Sequence, residues 1–440
     1  MTKDLAPENR GTTRRTFIKG TAATVVGAGL SAHTSIARTA HAAGDDKIKV
    51  GLIGCGGRGR GAAMQAIKAD PHTHLVALAD TFADQIELSL TLFGRDGELS
   101  SRVDVPEDRR YVGFDAFQQL IDSDVDVVLL AAPPHFRPQH LEAAVAAGKH
   151  VFAEKPIAVD VGGVQRVLAA CEQAKQKNLA VVSGLCWRYE NHARAAMQQI
   201  HDGKLGQIVA MHSAYVGSMP GKAWPMVRQD GWGDMEWQLR NWYWFTWLSG
   251  DHIVEQAVHS IDKASWAMHD QPPQSAISLG GLQARRGPEL GTIFDHHAVL
   301  FEYPSGLKHF HYCRQQSGCA HDVSTHIVGT LGVCDVEKGV IRNHDGDITW
   351  KANVKKNIMH QQEQDELFAS IRAGQPINDG HYMSVSTMLA VLGRMASYTG
   401  RKVTWDQALQ SKEDYTLPQY NWDVKPEIPP IAIPGVTLLV

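Results

Sequence analysis

The 440-residue chain lacks several features that would point its chemistry elsewhere. Its six cysteines (Cys55, Cys171, Cys186, Cys313, Cys319 and Cys334) form no CxxC pair, which excludes a zinc ribbon or a thioredoxin motif. They read as small buried apolar residues, with a Cys313–Cys319 disulfide as the lesser alternative. No run of about 18 apolar residues occurs, so no stable membrane insertion is expected. There is no internal repeat. Lys and Arg do not cluster beyond the first 42 residues. The net charge is −4, and those 42 residues carry +4, which leaves −8 on the rest. An acidic chain without a basic patch is no ligand for nucleic acid.

What is present begins with a leader. Arg14 and Arg15 precede Phe17, Ile18 and Lys19, then a small-residue apolar stretch to about Ile36, then Ala40-His41-Ala42. This order of basic, apolar and cleavage regions resembles a twin-arginine signal peptide. It implies export through the twin-arginine machinery to a periplasmic or extracellular site. That route carries folded proteins, so an enzyme using it would acquire its cofactor in the cytoplasm.

From Lys47 the chain alternates strands and helices: strands near 47–53, 74–79, 125–131, 150–153 and 179–183, helices near 115–121, 137–147 and 161–176. That alternation predicts a parallel sheet covered on both faces. After Gly184 the pattern changes, and strands near 208–216 and 298–312 suggest a mixed, mostly antiparallel sheet. A helix is expected over 383–398, ended by Gly400. The expected organisation is α/β: a signal peptide at 1–42, a Rossmann domain at 43–185, a substrate-binding α/β domain at 186–400 and a tail at 401–440.

The first strand runs into Gly54-Cys55-Gly56-Gly57-Arg58-Gly59, and Asp80 ends the next strand, 21 positions after Gly59. In that context the glycine pattern predicts a dinucleotide site. Gly54 permits the turn, Gly56 lets backbone approach the pyrophosphate, and Gly59 lets helix pack on strand. Gly57 and Arg58 complete the loop at a helix N-terminus, which favours phosphate. Asp80 would accept the ribose hydroxyls and repel a 2′-phosphate. NAD is therefore favoured, with NADP admitted by the nearness of Arg58 and Arg60.

Glu154-Lys155-Pro156 follows a later strand of the same sheet, where ligands sit in open α/β folds. A lysine there can hold or deprotonate a substrate hydroxyl. On one continuous helix over 252–262, Glu255 and His259 would share a face, with His252 and Asp262 extending the stripe. His252, Glu255 and His259 also have a spacing that can ligate one ion, although no metal is assigned. Five tryptophans between Trp232 and Trp247 surround Arg240 and Asn241. Aromatic faces beside Arg and Asn suit a carbohydrate, so Arg240, Asn241 and Trp242 are substrate-site candidates. His309, His311, His321 and His326 read as structural.

The glycine loop, Glu-Lys-Pro after a later strand, and an acidic residue four before a histidine, in this order, resemble the Gfo/Idh/MocA oxidoreductases over about residues 47–408. The resemblance implies that Lys155 lies near the nicotinamide and that Glu255 and His259 stand for the family's Asp-x-x-x-His pair, with Glu in place of Asp. It implies cofactor contacts from Pro133, His135 and Glu154, and substrate contacts from Arg188, Tyr189 and Asp262. It also implies a homo-oligomer built on the second sheet. The expected reaction is hydride transfer between a carbohydrate hydroxyl and a tightly held nicotinamide, with His259 as base, Lys155 assisting and Glu255 orienting His259. The alternative is glycoside cleavage by transient oxidation, elimination and re-reduction. A non-catalytic cofactor sensor is disfavoured by the presence of both Lys155 and His259.

Overall fold

β1 (Ile48–Ile53) is almost wholly buried, because it lies in the middle of a six-stranded sheet and has both faces covered. In a computed structural model, which describes residues 46–219, 227–285 and 291–440, this sheet has the order β3-β2-β1-β4-β5-β6. The other strands are β2 (Thr73–Asp80), β3 (Arg110–Val112), β4 (Val127–Leu130), β5 (His150–Ala153) and β6 (Val181–Ser183). Every pair is parallel. The order reverses between β1 and β4, and a doubly wound sheet opens its ligand crevice at such a switch point. The leader at 1–42 lies outside the described residues.

The second sheet has nine strands in the order β14-β13-β12-β11-β7-β10-β9-β8-β15. They are β7 (Ile208–Gly217), β8 (Ser275–Gly281), β9 (His296–Glu302), β10 (Lys308–Gln315), β11 (Asp322–Gly329), β12 (Gly332–Asp335), β13 (Val340–Arg342), β14 (Ile348–Lys351) and β15 (Val403–Thr404). Only β7 and β10 pair in parallel; the other neighbours are antiparallel. Burial alternates along β10, as expected of a sheet packed on one face. The helices Val258–Ala267 and Gly380–Thr399 cover the inner face. Ile277, Leu279 and Phe310 stand exposed on the strands themselves.

Several expectations need correction. The stretch 252–262 is not one helix. A short helix His252–Glu255 ends at Gln256, and a second, Val258–Ala267, begins after Ala257. The segment 401–440, expected as a tail, begins with β15, which closes the edge of the second sheet against β8. All six cysteines are free thiols, so Cys313 and Cys319 are not bridged. A helix absent from the sequence reading, Met359–Arg372, packs on the Gly57–Ala69 helix and so returns the C-terminal half to the first sheet. Among the described residues no helix is long and apolar enough to cross a membrane.

Candidate active site

The glycine loop is shaped by space. Gly54 has φ +95°, and a Cβ there would lie 2.3 Å from the Ala132 nitrogen. A Cβ on Gly59 would lie 1.9 Å from the Gly54 oxygen. Both positions therefore require glycine. A Cβ on Gly56 would meet nothing within 4 Å, so the backbone is open to a ligand there. The Gly57–Ala69 helix starts without a side-chain cap, which leaves its first amides to a phosphate. Asp80 closes the other side: its carboxylate accepts from the Cys55 nitrogen at 2.7 Å and the Phe82 nitrogen at 2.9 Å. Burial raises its pKa, and those two hydrogen bonds oppose the rise. An uncapped helix N-terminus, an open glycine face and an acid at the end of β2 fit a dinucleotide. Arg58 does not reach toward a 2′-phosphate, since its guanidinium donates to Glu154 at 2.5 Å and to Glu363 at 3.0 Å. The position of Arg58 thus removes one of the two reasons for admitting NADP. Arg60 donates to the Cys55 carbonyl at 2.7 Å.

Next to the loop is a cavity of about 540 Å³. Of the residues singled out in the sequence, Arg58, Glu154, Lys155, Trp242, Glu255 and His259 line it. Lys155 is placed by the end of β5. Its Nζ donates to Glu255 Oε1 at 2.9 Å and also to the Glu255 backbone carbonyl. Burial raises the Glu255 pKa, and Lys155 opposes it. His259 opens the helix after the break. Burial, reinforced by Lys155 and Lys263, holds its pKa well below the usual histidine value, so the imidazole is neutral. Its Nδ1 is buried without a hydrogen-bond partner. Glu255 therefore serves Lys155 rather than orienting His259. No hydrogen bond joins the pair across the two-residue break: Glu255 Oε2 and His259 Nδ1 are both buried without a partner.

Other expected site residues lie outside the cavity lining. Arg188 is buried in an ion-pair cluster, donating to Asp262 at 2.8 Å and Asp270 at 2.5 Å, and it lies over the Trp266 and Tyr382 rings. Asp262 also accepts from Ser386 at 2.8 Å. Tyr189 donates to buried Asp379 at 2.7 Å. These groups satisfy one another in the interior and present nothing to a sugar. Arg240 is held by Asp84 and Glu236 and covers the Phe82 ring. Asn241 is buried against the Trp237 carbonyl. Pro133 precedes the short 3-10 turn Pro134–Phe136, and His135 on that turn meets the Tyr420 hydroxyl at 2.7 Å. His252 turns away from Glu255 and His259, and its Nδ1 lies 3.1 Å from the Phe294 carbonyl and 3.0 Å from Asp251. The three-residue metal spacing is therefore not a cluster in space. His309 and His311 share the Ser213 hydroxyl in the interior.

The cavity also contains Cys186, read from the sequence only as a buried apolar residue, and residues that sequence reasoning passed over: Trp187, Tyr215, Gln256 and His360. Tyr215 donates to Gln256 at 2.8 Å, and burial pushes its pKa up to about 12. His360 faces Glu363 at 3.4 Å, and Arg58 joins Glu363 to Glu154. No local motif marks His360. The only available signal was an amphipathic pattern over 359–372.

Two family models and several known proteins match this chain. Residues 48–183 match the family described as "Oxidoreductase family, NAD-binding Rossmann fold", and residues 193–334 match its "GFO/IDH/MocA C-terminal domain". Inositol 2-dehydrogenase of Serratia proteamaculans is 26% identical over 294 residues, which is 65% of this chain and 73% of that protein. The 2,7-anhydro-N-acetylneuraminate hydratase of Escherichia coli K12 is 24% identical over 55% of this chain, and the match spans only 59% of the hydratase. Among solved structures, levoglucosan dehydrogenase with NADH and levoglucosan aligns at TM-score 0.62 and 18% identity, over 82% of this chain and 99% of that one. Scyllo-inositol dehydrogenase from Lactobacillus casei with NAD(H) and scyllo-inositol aligns at 0.61 and 20%, with the same coverage. The glycine loop, the Lys155 strand end and both matched regions lead to one conclusion: the chain belongs to the Gfo/Idh/MocA family of NAD-binding oxidoreductases.

Proposed function

We propose that this protein oxidises or reduces a CH–OH group of a sugar, polyol or glycoside with NAD. The observation that carries the reading is one cavity lined by a half-buried ammonium, Lys155, and a half-buried neutral imidazole, His259, beside an open glycine loop. Bound NAD supplies the hydride acceptor. The chain supplies the proton chemistry: Lys155 holds the substrate oxygen, and His259 takes the hydroxyl proton. Glu255 fixes Lys155 against the cavity wall, and Trp187 and Trp242 offer aromatic faces to a sugar ring. The test is NADH formation with a panel of inositols, anhydrosugars, free sugars and methyl glycosides, alongside NAD titration. Binding and turnover with a member of the panel are expected. Absence of NAD binding would overturn the reading.

A second reading, redox-neutral glycoside elimination, is supported by His360, a further imidazole backed by Glu363 in the same cavity. A transient ketone acidifies the adjacent C–H, and a second base could remove that proton. The hydratase relative supports lyase-type chemistry within the family. Glycoside cleaved without net NADH would select this reading.

Two further parts of the reading rest on other features. The leader supports export by the twin-arginine route with the cofactor already bound, to a periplasmic or extracellular site. The exposed apolar residues Ile277, Leu279 and Phe310 on the second sheet support a homo-oligomer formed through that face.

A further inference from the structure

The adenosine half of the cofactor crevice is defined by three loops at the C-terminal ends of β2, β3 and β4. β3 pairs with the end of β2, bringing Val112 opposite Asp80, and the Gly113 nitrogen donates to the Asp80 carbonyl at 3.1 Å. Phe114 therefore stands beside the ribose-binding acid, with Phe82 two residues beyond that acid. His135 follows β4 on the other side of the switch point.

One segment near the C-terminus touches all three loops. The Trp422 ring lies 4.8 Å from Phe114 and 5.6 Å from Phe82, centroid to centroid. The Tyr420 hydroxyl bonds His135 at 2.7 Å, and its ring packs on Phe136 at 5.5 Å. The segment is tied down on both sides. Ahead of it, Glu413 pairs with buried Arg394 and accepts from Tyr415 at 2.7 Å. Behind it, Gln238 donates to the Pro426 carbonyl at 2.9 Å in a buried contact.

From this arrangement we infer that residues 415–422 form part of the cofactor site. Tyr420 and Trp422 roof the adenosine half, so that NAD is retained through successive turnovers and exchanges slowly with solvent. The inference rests on the cofactor assignment and concerns residues outside both matched family regions. A roof anchored on three loops must lift before the adenosine can leave, which slows dissociation more than it changes the chemistry at Lys155. The three aromatic contacts named above and one hydrogen bond are lost on lifting. Ring packing of this kind opposes lifting even though Trp422 itself stays 44% exposed on its outer side.

The test is release of a fluorescent etheno-adenine NAD, preloaded on the full-length folded protein and displaced by excess NAD. It is run on the wild type, on Trp422→Ala and on Tyr420→Phe, which removes a single hydroxyl and leaves the fold least disturbed. The expected result is release at least ten-fold faster in Trp422→Ala and a smaller acceleration in Tyr420→Phe, with thermal melting of Tyr420→Phe unchanged. Equal release rates in all three would overturn the inference while leaving the cofactor reading standing. Faster association and tighter binding in Trp422→Ala would also overturn it, because the tail would then be an occupant of the adenosine place and not its roof. Absence of binding to the wild type would overturn both.

Discussion

Lys155 shows how little freedom the catalytic candidates have. Its ammonium is fixed by two oxygens of one residue, Glu255, and so is held where a substrate oxygen can reach it without a search through rotamers. Lys155→Met and His259→Gln are each expected to lower kcat by about 10²–10⁴-fold, with NAD affinity nearly unchanged in titration calorimetry. Because Glu255 acts through Lys155, Glu255→Gln should also lower kcat, and the double variant Lys155→Met/Glu255→Gln should be little worse than Lys155→Met alone. A fully multiplicative loss would instead assign Glu255 to His259. The departure from the family's acid matters here, since the longer Glu side chain is the one that meets Lys155.

At the scale of elements, the glycine loop and the break at Gln256–Ala257 carry the site. The loop works because two of its glycines, Gly54 and Gly59, approach neighbouring backbone closer than a Cβ allows. Gly59→Ala would place a carbon 1.9 Å from the Gly54 oxygen and must push the helix off the strand. It is expected to cost at least about 2 kcal/mol in denaturant unfolding, as overpacking does, and to abolish NAD binding. Gly56→Ala, which meets open space, should fold normally and still weaken NAD, because its methyl enters the phosphate approach. A Gly59→Ala protein that bound NAD as the wild type does would refute this account. Across the helix break Glu255 reaches Lys155, while the His259 Nδ1 has no hydrogen-bond partner.

On the scale of the whole molecule, burial sets the response to acid. His140 is buried, stacked on Phe117 at 4.3 Å, and burial, with Arg137 nearby, lowers its pKa to about 3. The unfolded chain titrates near the ordinary histidine value of about 6.5. Below that pH the unfolded state binds a proton that the folded state refuses, so stability is lost as pH falls through about 6.5. His140→Phe removes this one liability and fits the aromatic neighbours. The variant should melt close to the wild type at neutral pH. By pH 5 it should be the more stable by about 2 kcal/mol, given about 1.4 kcal/mol per pH unit. A stability difference that does not change with pH would show that His140 titrates in the fold as it does in the unfolded chain. The same molecular scale produces the cavity, where the Met359–Arg372 helix brings His360 and Glu363 back to the first sheet.

The sequence alone was enough to determine the parallel sheet, the glycine loop, Asp80 and the Lys155 strand end, because each depends on contacts between chain neighbours: strand into turn into helix, with hydrophobic period and glycine sterics readable locally. It also supplied the residues His259, Glu255 and Trp242. Tertiary structure decided which of them work together. Arg188 and Asp262 satisfy each other in the interior, Tyr189 is taken by Asp379, and Arg240 faces Asp84, because a buried charge takes whichever partner the fold brings near. His360 and Tyr420 reach the cofactor crevice from more than 200 residues away, through packing that no local pattern encodes.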